Sequence, residues 1–325
     1  MKRLPNLTAV TSPSLFISMA SVIVTSSCTH KDILFDDPQR GELRVIYDWR
    51  NASDADPEGM RLFFYSGADD TGYPLQFDLT GKSGGSVSLP PGRYHVVSYN
   101  NDCEFTRFNS TENLHLHHAT TREGDILEPL SGKASARAPD SERVFVAPDK
   151  LWGCTAYDIT VPDPKREPHT EITLAPLPFH CHYTIEIRNV THIDELSRTS
   201  ASLSGLSPSV IITTGELGAE SVTIPFEAHA DRLHHIITGE FLTFGHREDY
   251  ENSHRLNLYV WMSDGNRYLF GSTGDKFDVT AQVDTASDRR HVHIIVDGLD
   301  LPVHIPGGMT PRPDDWIEVP TDVII

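Results

Sequence analysis

Apolar and polar residues alternate along much of this chain, the period at which successive side chains leave opposite faces of an extended strand. Leu43, Val45, Tyr47 and Trp49 share one face of such a segment, as do Leu256, Leu258, Val260 and Met262, and again Val292, Ile294 and Val296. No stretch of about twelve residues carries apolar positions at helical spacing. Turn residues separate the runs: Ser83-Gly84-Gly85, Pro90-Pro91-Gly92, Ser263-Asp264-Gly265-Asn266 and Gly271-Ser272-Thr273-Gly274. In the second of these, two prolines stiffen the turn and Gly92 is expected to take a backbone conformation other residues resist. Short strands at intervals of about ten residues with such turns predict an all-β protein built from β-sandwiches.

Prolines then suggest where the chain divides. Pro162, Pro164 and Pro168 each lack a ladder donor, so the stretch around them is excluded from a central strand. This places an N-terminal β-sandwich domain over 41–165 and a C-terminal one over 170–325 that ends in an extended tail. The run from Thr106 to Ala147, rich in His, Ser, Arg and Ala, reads as an excursion of the first domain. In the tail, Ile317, Val319, Val323 and Ile325 fall on one side of an extended segment. They can dock on a neighbour's sheet edge or close the chain's own sheet, and closure is preferred because it avoids the entropy cost of association.

The first residues break the strand pattern. Lys2 and Arg3 precede an apolar run from Leu15 to Val24, and Thr25-Ser26-Ser27 leads to Cys28 with no acidic residue before Asp32. A basic start, a short apolar run and small residues before a cysteine predict an export signal over 1–27. Cys28 is then lipidated as the mature N-terminus, and 28–40 is a lipidated linker. Thr25 stands where such signals favour leucine. The apolar run is too short for a spanning helix, which needs about 20 residues, so lipid is the expected tether.

Charge and cysteine content narrow the partners. Asp and Glu outnumber Lys and Arg by 46 to 27, for a formal net charge of −19. Such a surface repels nucleic-acid backbones and anionic headgroups, which excludes nucleic acid and a basic membrane patch. If Cys28 is lipidated, Cys103, Cys154 and Cys181 remain. An odd count argues against a complete disulfide framework, leaving a Cys103 to Cys154 bridge and free buried thiols both open.

Histidines cluster at His115, His117 and His118, at His180 and His182, at His234 and His235, and at His291 and His293. Two histidines on one strand face could begin a metal site, yet no third ligand joins them on that face. His180 and His182 share the polar face opposite Tyr183, Ile185 and Ile187, where imidazoles need no metal. No metal site and no cofactor are predicted, His115, His117 and His118 being the best of the candidates. Asp54 and Asp56 have only nonspecific spacing for calcium. There is no Gly-x-Ser-x-Gly elbow, phosphate loop or His-Glu-x-x-His, and Asp69-Asp70 and Asp314-Asp315 point to opposite faces of extended chain. No catalytic residue is assigned, and the chain reads as a non-enzyme. Trp152, Tyr157, Tyr250, Tyr259, Trp261 and Tyr268 could include a platform for sugar rings, although most such rings in sandwiches are core. Asn257, Tyr259 and Trp261 oppose the Leu256 face, so one of the two faces should lie outward or against the other domain.

Several phrases taken together resemble a known family. They are Tyr47-Asp48-Trp49, the run from Gly59 to Tyr65, Leu89-Pro90-Pro91-Gly92-Arg93-Tyr94, and Ser98-Tyr99-Asn100-Asn101-Asp102. Pro148-Asp149-Lys150-Leu151-Trp152, Gly307-Gly308-Met309 and Asp314-Asp315-Trp316 extend the likeness. It is to the fimbrillin-like, or Mfa-like, surface lipoproteins of anaerobic host-associated bacteria, in a branch known mainly as a domain of unknown function. The resemblance implies two tandem transthyretin-like β-sandwiches and a place at the outer membrane or cell surface, in fimbriae or adhesion. Stalk subunits of that family donate a strand to a neighbour after a protease cuts behind an arginine ahead of the first strand. Arg40 is the matching position here, and an ordinary linker arginine is the preferred reading of it. A branch that keeps its lipid and first strand would be an anchor, tip or accessory subunit whose partners are other fimbrial subunits. The alternative is a glycan-binding surface lipoprotein of a nutrient-uptake system.

Overall fold

The computed structural model describes residues 40–67, 73–127, 142–167, 169–247, 254–272, 274–303 and the backbone of 316–319. The strands of the first half are β1 (Gly41–Tyr47), β2 (Gly59–Ser66), β3 (Leu75–Thr80), β4 (Gly84–Leu89), β5 (Gly92–Asn100), β6 (Arg107–Asn109), β7 (His118–Thr120), β8 (Arg143–Val144), β9 (Trp152–Val161) and β10 (His169–Leu174). Those of the second are β11 (Leu177–Pro178), β12 (Cys181–Thr191), β13 (Leu196–Leu206), β14 (Ser209–Ile211), β15 (Val222–Asp231), β16 (Ile236–Thr243), β17 (Leu256–Met262), β18 (Arg267–Phe270), β19 (His291–Asp300) and β20 (Trp316–Val319). A 3₁₀ turn at Ile193–Glu195 and one short helix, α1 (Thr280–Asp284), interrupt them. The all-β expectation holds.

Alternation builds the first sandwich. A three-stranded sheet, β10-β1-β4, faces a five-stranded one, β11-β9-β5-β2-β3. Leu43, Val45 and Tyr47 turn inward from β1 and meet Met60, Leu62 and Phe64 of β2 and Val96 of β5. Apolar residues run consecutively from Leu62 to Tyr65 because the five-stranded sheet is covered on both faces. Phe63 and Tyr65 leave its far side and pack with Val97, Tyr99, Leu114 and Val210 in a separate core. Gly84 opens β4 at φ 91°, where an added Cβ would lie 2.1 Å from the Val45 carbonyl oxygen, so that turn requires glycine. Gly92 departs from expectation. Its φ is not positive, and a Cβ would meet only the Tyr94 side chain, at 3.4 Å.

The proline stretch also departs from expectation. Residues 163–167 form a turn in which the amides of Arg166 and Glu167 donate to the Asp163 carbonyl. It carries the chain from β9 in one sheet to β10 in the other, and β10 pairs with β1 from Glu42 opposite His169 to Tyr47 opposite Leu174. Residues 169–174 thus belong to the sheet of β1. Leu177 and Pro178 still pair with β9, so the first sandwich extends to about β11, because prolines interrupt a ladder as readily within a sandwich as between two. The run from Thr106 to Ala147 is not confined to the first sandwich either. Its β7 pairs with β14 and its β8 with β15, both from the second half.

The second sandwich is one sheet of nine strands ordered β19-β12-β16-β15-β13-β17-β18-β20, with β8 beside β15. It turns over at β15, whose first half pairs with β13 and whose last four residues, Ala228 to Asp231, pair with β16. Pro225 is accommodated where, among the described residues, β15 has a ladder partner only on the β13 side. The core between the two halves takes Leu256, Leu258, Val260 and Met262 from β17, and Val292, Ile294 and Val296 from β19. The opposite face of β17 is covered as well: Asn257 and Tyr259 are buried, Tyr259 against Ile126 and Val144.

Candidate functional site: the first strand and the sheet edges

The strand on which the expected strand exchange turns is β1. It is the central strand of its sheet, parallel to β10 and antiparallel to β4. Leu43 is 0% and Val45 1% exposed. Burying each such side chain contributes roughly 1.5–3 kcal/mol, so removing the strand would cost several. Tyr47 ties the two sheets together. Its hydroxyl lies 2.6 Å from Ser98 Oγ, and Ser98 Oγ donates to the Arg61 carbonyl at 3.0 Å. Burial pushes the Tyr47 phenol well above its ordinary pKa, so it stays a neutral hydrogen-bonding group. On the solvent side, Glu42 of β1 pairs with His169 of β10 at 3.2 Å. A hydrogen bond from Ser86 of β4, with His169 next in weight, holds the Glu42 carboxyl below the usual range.

Arg40 sits exposed immediately before β1, its guanidinium donating to the Ser88 carbonyl at 3.3 Å. Gly41, on the other side of the peptide bond, is buried, and an added Cβ would lie 3.3 Å from both the Pro162 carbonyl oxygen and Val161 Cγ1. The Arg40 side chain is thus reachable, while the chain that follows is locked into a ladder. At the other end of the chain, β20 pairs antiparallel with β18, Ile317 opposite Leu269 and Val319 opposite Arg267. Val323 and Ile325 lie outside the described residues, as do Cys28 and the signal expected over 1–27. Among the described strands β20 and β19 form the two edges of the large sheet.

The histidines named from sequence as the best metal candidates have separate surroundings. His117 is fully buried, with Nδ1 2.8 Å from Tyr65 Oη and Nε2 3.1 Å from Tyr99 Oη, so both ring nitrogens are engaged. Burial pushes its pKa down to about 4. His118 instead turns to the Leu116 carbonyl. His182 pairs with Glu240 and His291 with Asp288, at 3.2 and 2.9 Å. Cys103, Cys154 and Cys181 are free thiols, pushed up by burial to about 12, about 12 and about 11. Asp56 pairs with Lys82 at 3.3 Å. Of the rings considered for sugar stacking, Tyr157 is exposed. Trp152, Tyr259 and Tyr268 are buried, Tyr250 lies outside the described residues, and the guanidinium groups of Arg198 and Arg267 sit over the half-buried Trp261 at 5.5 and 4.7 Å.

One cluster escaped the sequence reading. His246, His254 and Asp284 each offer a ligand atom within 4.8 Å of the others. His246 and His254 flank the stretch 248–253, and Asp284 ends α1, so the three share no recognisable spacing. The two histidines framing an acidic, polar stretch are the sequence signal.

These features define an all-β, two-sandwich protein whose first strand is built into its own sheet. The chain belongs to the family described as a domain of unknown function, DUF5119, which matches residues 27–227. It is 24% identical over 212 residues to a Bacteroides ovatus protein named as a fimbrium anchoring subunit, Fim4B. That match covers 65% of this chain and 59% of the relative, so the chain spans less than two thirds of the relative's length. A crystal structure described as an adhesin, also from Bacteroides ovatus, shares the fold at TM-score 0.60 and 21% identity, over 82% of this chain and 96% of that one. Another, from Bacteroides thetaiotaomicron and described as a polysaccharide binding protein, reaches TM-score 0.50 at 12% identity, over 80% and 91%.

Proposed function

We propose that this chain is a non-enzymatic cell-surface lipoprotein that serves a fimbrium as an anchor, tip or accessory subunit. It joins other subunits by β-strand docking and the outer membrane by lipid on Cys28. The observation that carries this reading is β1, paired on both sides and buried, so that the slot a neighbour's strand would need is already filled by the subunit's own chain. The likeness to a protein named for fimbrium anchoring supports the same role.

The two processing signals exclude one another in this reading. A cut behind Arg40 leaves β1 in the body and releases everything before Gly41, including Cys28. An anchor therefore keeps Arg40 intact, and its interaction surface is an edge of the large sheet. The edge bearing β20 and the tail residues Ile317, Val319, Val323 and Ile325 is the docking strand of choice. The test is fractionation of cells after shearing. The wild-type chain should stay with membranes and retain filaments, Cys28→Ala should release it, and truncation before Trp316 should keep it on membranes but shed the filaments. Unchanged filament retention by the truncated chain contradicts the assignment of the edge, and unchanged membrane fractionation of Cys28→Ala contradicts the anchor.

A further inference from the structure

His246 and His254 pack edge to face in the second sandwich, ring centroids 5.1 Å apart, with only 2% of each side chain exposed. Each is oriented from behind. Tyr183 Oη of β12 lies 2.8 Å from His246 Nδ1, and the Ser204 carbonyl of β13 lies 3.1 Å from His254 Nδ1. The Ser204 carbonyl can only accept, so His254 donates through Nδ1–H and keeps its Nε2 lone pair free; the Tyr183 hydroxyl allows His246 the same tautomer, the arrangement that outer hydrogen bonds impose on metal-bound imidazoles. Both Nε2 atoms face Asp284 Oδ1, at 3.9 Å from His246 and 3.7 Å from His254. These separations are beyond hydrogen bonding, and His246 Nε2 is a buried atom with no partner. An unsatisfied buried ring nitrogen is costly, and it is aimed at a carboxylate that does not reach it.

The third ligand stands on a braced element. α1 is fixed at its start by the His254 amide donating to Thr280 Oγ1 at 2.8 Å and the Val279 amide donating to the His254 carbonyl at 2.9 Å. The Gln282 side chain exchanges two hydrogen bonds of 2.9 Å with the Ile295 backbone of β19. Asp284 itself remains 52% exposed, giving solvent a path to the cluster and leaving the carboxylate room to close on an ion. His246 also borders a cleft of about 580 Å³.

We propose that Nε2 of His246, Nε2 of His254 and a carboxylate oxygen of Asp284 form a binding site for one divalent first-row transition metal, zinc being the natural occupant to test, with a coordination position left for water. Two imidazoles and one carboxylate suit zinc better than calcium or magnesium, which prefer all-oxygen sites. Tetrahedral zinc holds such atoms roughly 3.4 Å apart, so the Asp284 oxygen would close by a few tenths of an ångström, and the imidazoles, whose ligand atoms lie within 4.8 Å, would draw together with it. Burial keeps both imidazoles below their ordinary pKa, hence neutral and able to ligate, which agrees with the geometry. Arg289 is the opposing influence, a positive charge near enough to His246 to weaken a cation's hold. Ligation would connect the ends of the 248–253 stretch to α1 and so stabilise the second sandwich.

The experiment uses the full mature chain stripped with a chelator and titrated with zinc against a colorimetric competitor, with thermal unfolding followed in parallel. One equivalent should bind and the unfolding midpoint should rise. Asp284 is exposed, so Asp284→Ala and Asp284→Asn should fold normally. Each should weaken zinc binding at least about tenfold and abolish the rise in midpoint. With cobalt in place of zinc, visible bands of a tetrahedral site should appear in the parent and be lost in Asp284→Ala. Absence of a stoichiometric equivalent in the parent overturns the site. So does binding that both Asp284 variants retain unchanged, since other histidines would then be responsible.

Discussion

Tyr47 shows how one side chain serves two sheets. Its apolar ring belongs to the core while its hydroxyl reaches Ser98 across the sandwich. Tyr47→Phe should keep the packing and lose about 1 kcal/mol, read from the urea midpoint; a change near zero would mean the bond contributes nothing. Gly84→Ala should be harsher, at least about 2 kcal/mol, because the new methyl group meets the Val45 carbonyl and a positive φ opposes it. His117 governs an acid response. It is enclosed by Phe63, Tyr65 and Tyr99, with His118 the nearby positive influence, and its folded pKa of about 4 lies below the ordinary 6.5. Above pH 6.5 both states are neutral and its contribution is complete. Between 6.5 and 4 the unfolded chain binds a proton the folded chain refuses, so stability falls with pH, by roughly 3 kcal/mol at most. His117→Gln should flatten that loss in denaturation series at about pH 7 and about pH 4.5; an unchanged slope would contradict this origin. That Gly84 lies in a turn was legible from Ser83-Gly84-Gly85, but the special conformation was expected at Gly92 and found at Gly84; the burial of His117 was not legible, because a histidine among polar residues carries no mark of the tyrosines the fold brings to it.

At the level of the element, β1 is the strand that matters most. Leu43→Ala should destabilise by about 2–5 kcal/mol and should speed cleavage at Arg40 by an arginine-specific protease, since the primed side of that bond is held by the β1 ladder and opens only when the strand detaches. Equal cleavage rates in parent and variant would show that Arg40 is reached without opening β1. Period-2 alternation made β1, β12, β17 and β19 readable, because each buries one face in a core. It could not reveal that the Asn257 and Tyr259 face of β17 is buried too, since Ile126 and Val144 cover it from far along the chain. The proline stretch is read by the same physics. Proline reports a break in the ladder, and the break here lies between the two sheets of one sandwich.

Across the whole molecule, the two sandwiches are interleaved, because β7 pairs with β14 and β8 with β15. The fold class and the family resemblance were both visible in sequence, the one from periodicity and turns, the other from short phrases such as Leu89-Pro90-Pro91-Gly92. The His246, His254 and Asp284 cluster was not, because its members come from separate segments that only the folded β-structure brings together. The central claim, a subunit that keeps both its first strand and its tether, is tested most directly by the intact mass of the protein extracted from membranes. The account predicts a chain that begins at a lipid-modified Cys28 and runs unbroken through Arg40. A chain that begins at Gly41, or one whose Cys28 carries no lipid, would contradict it.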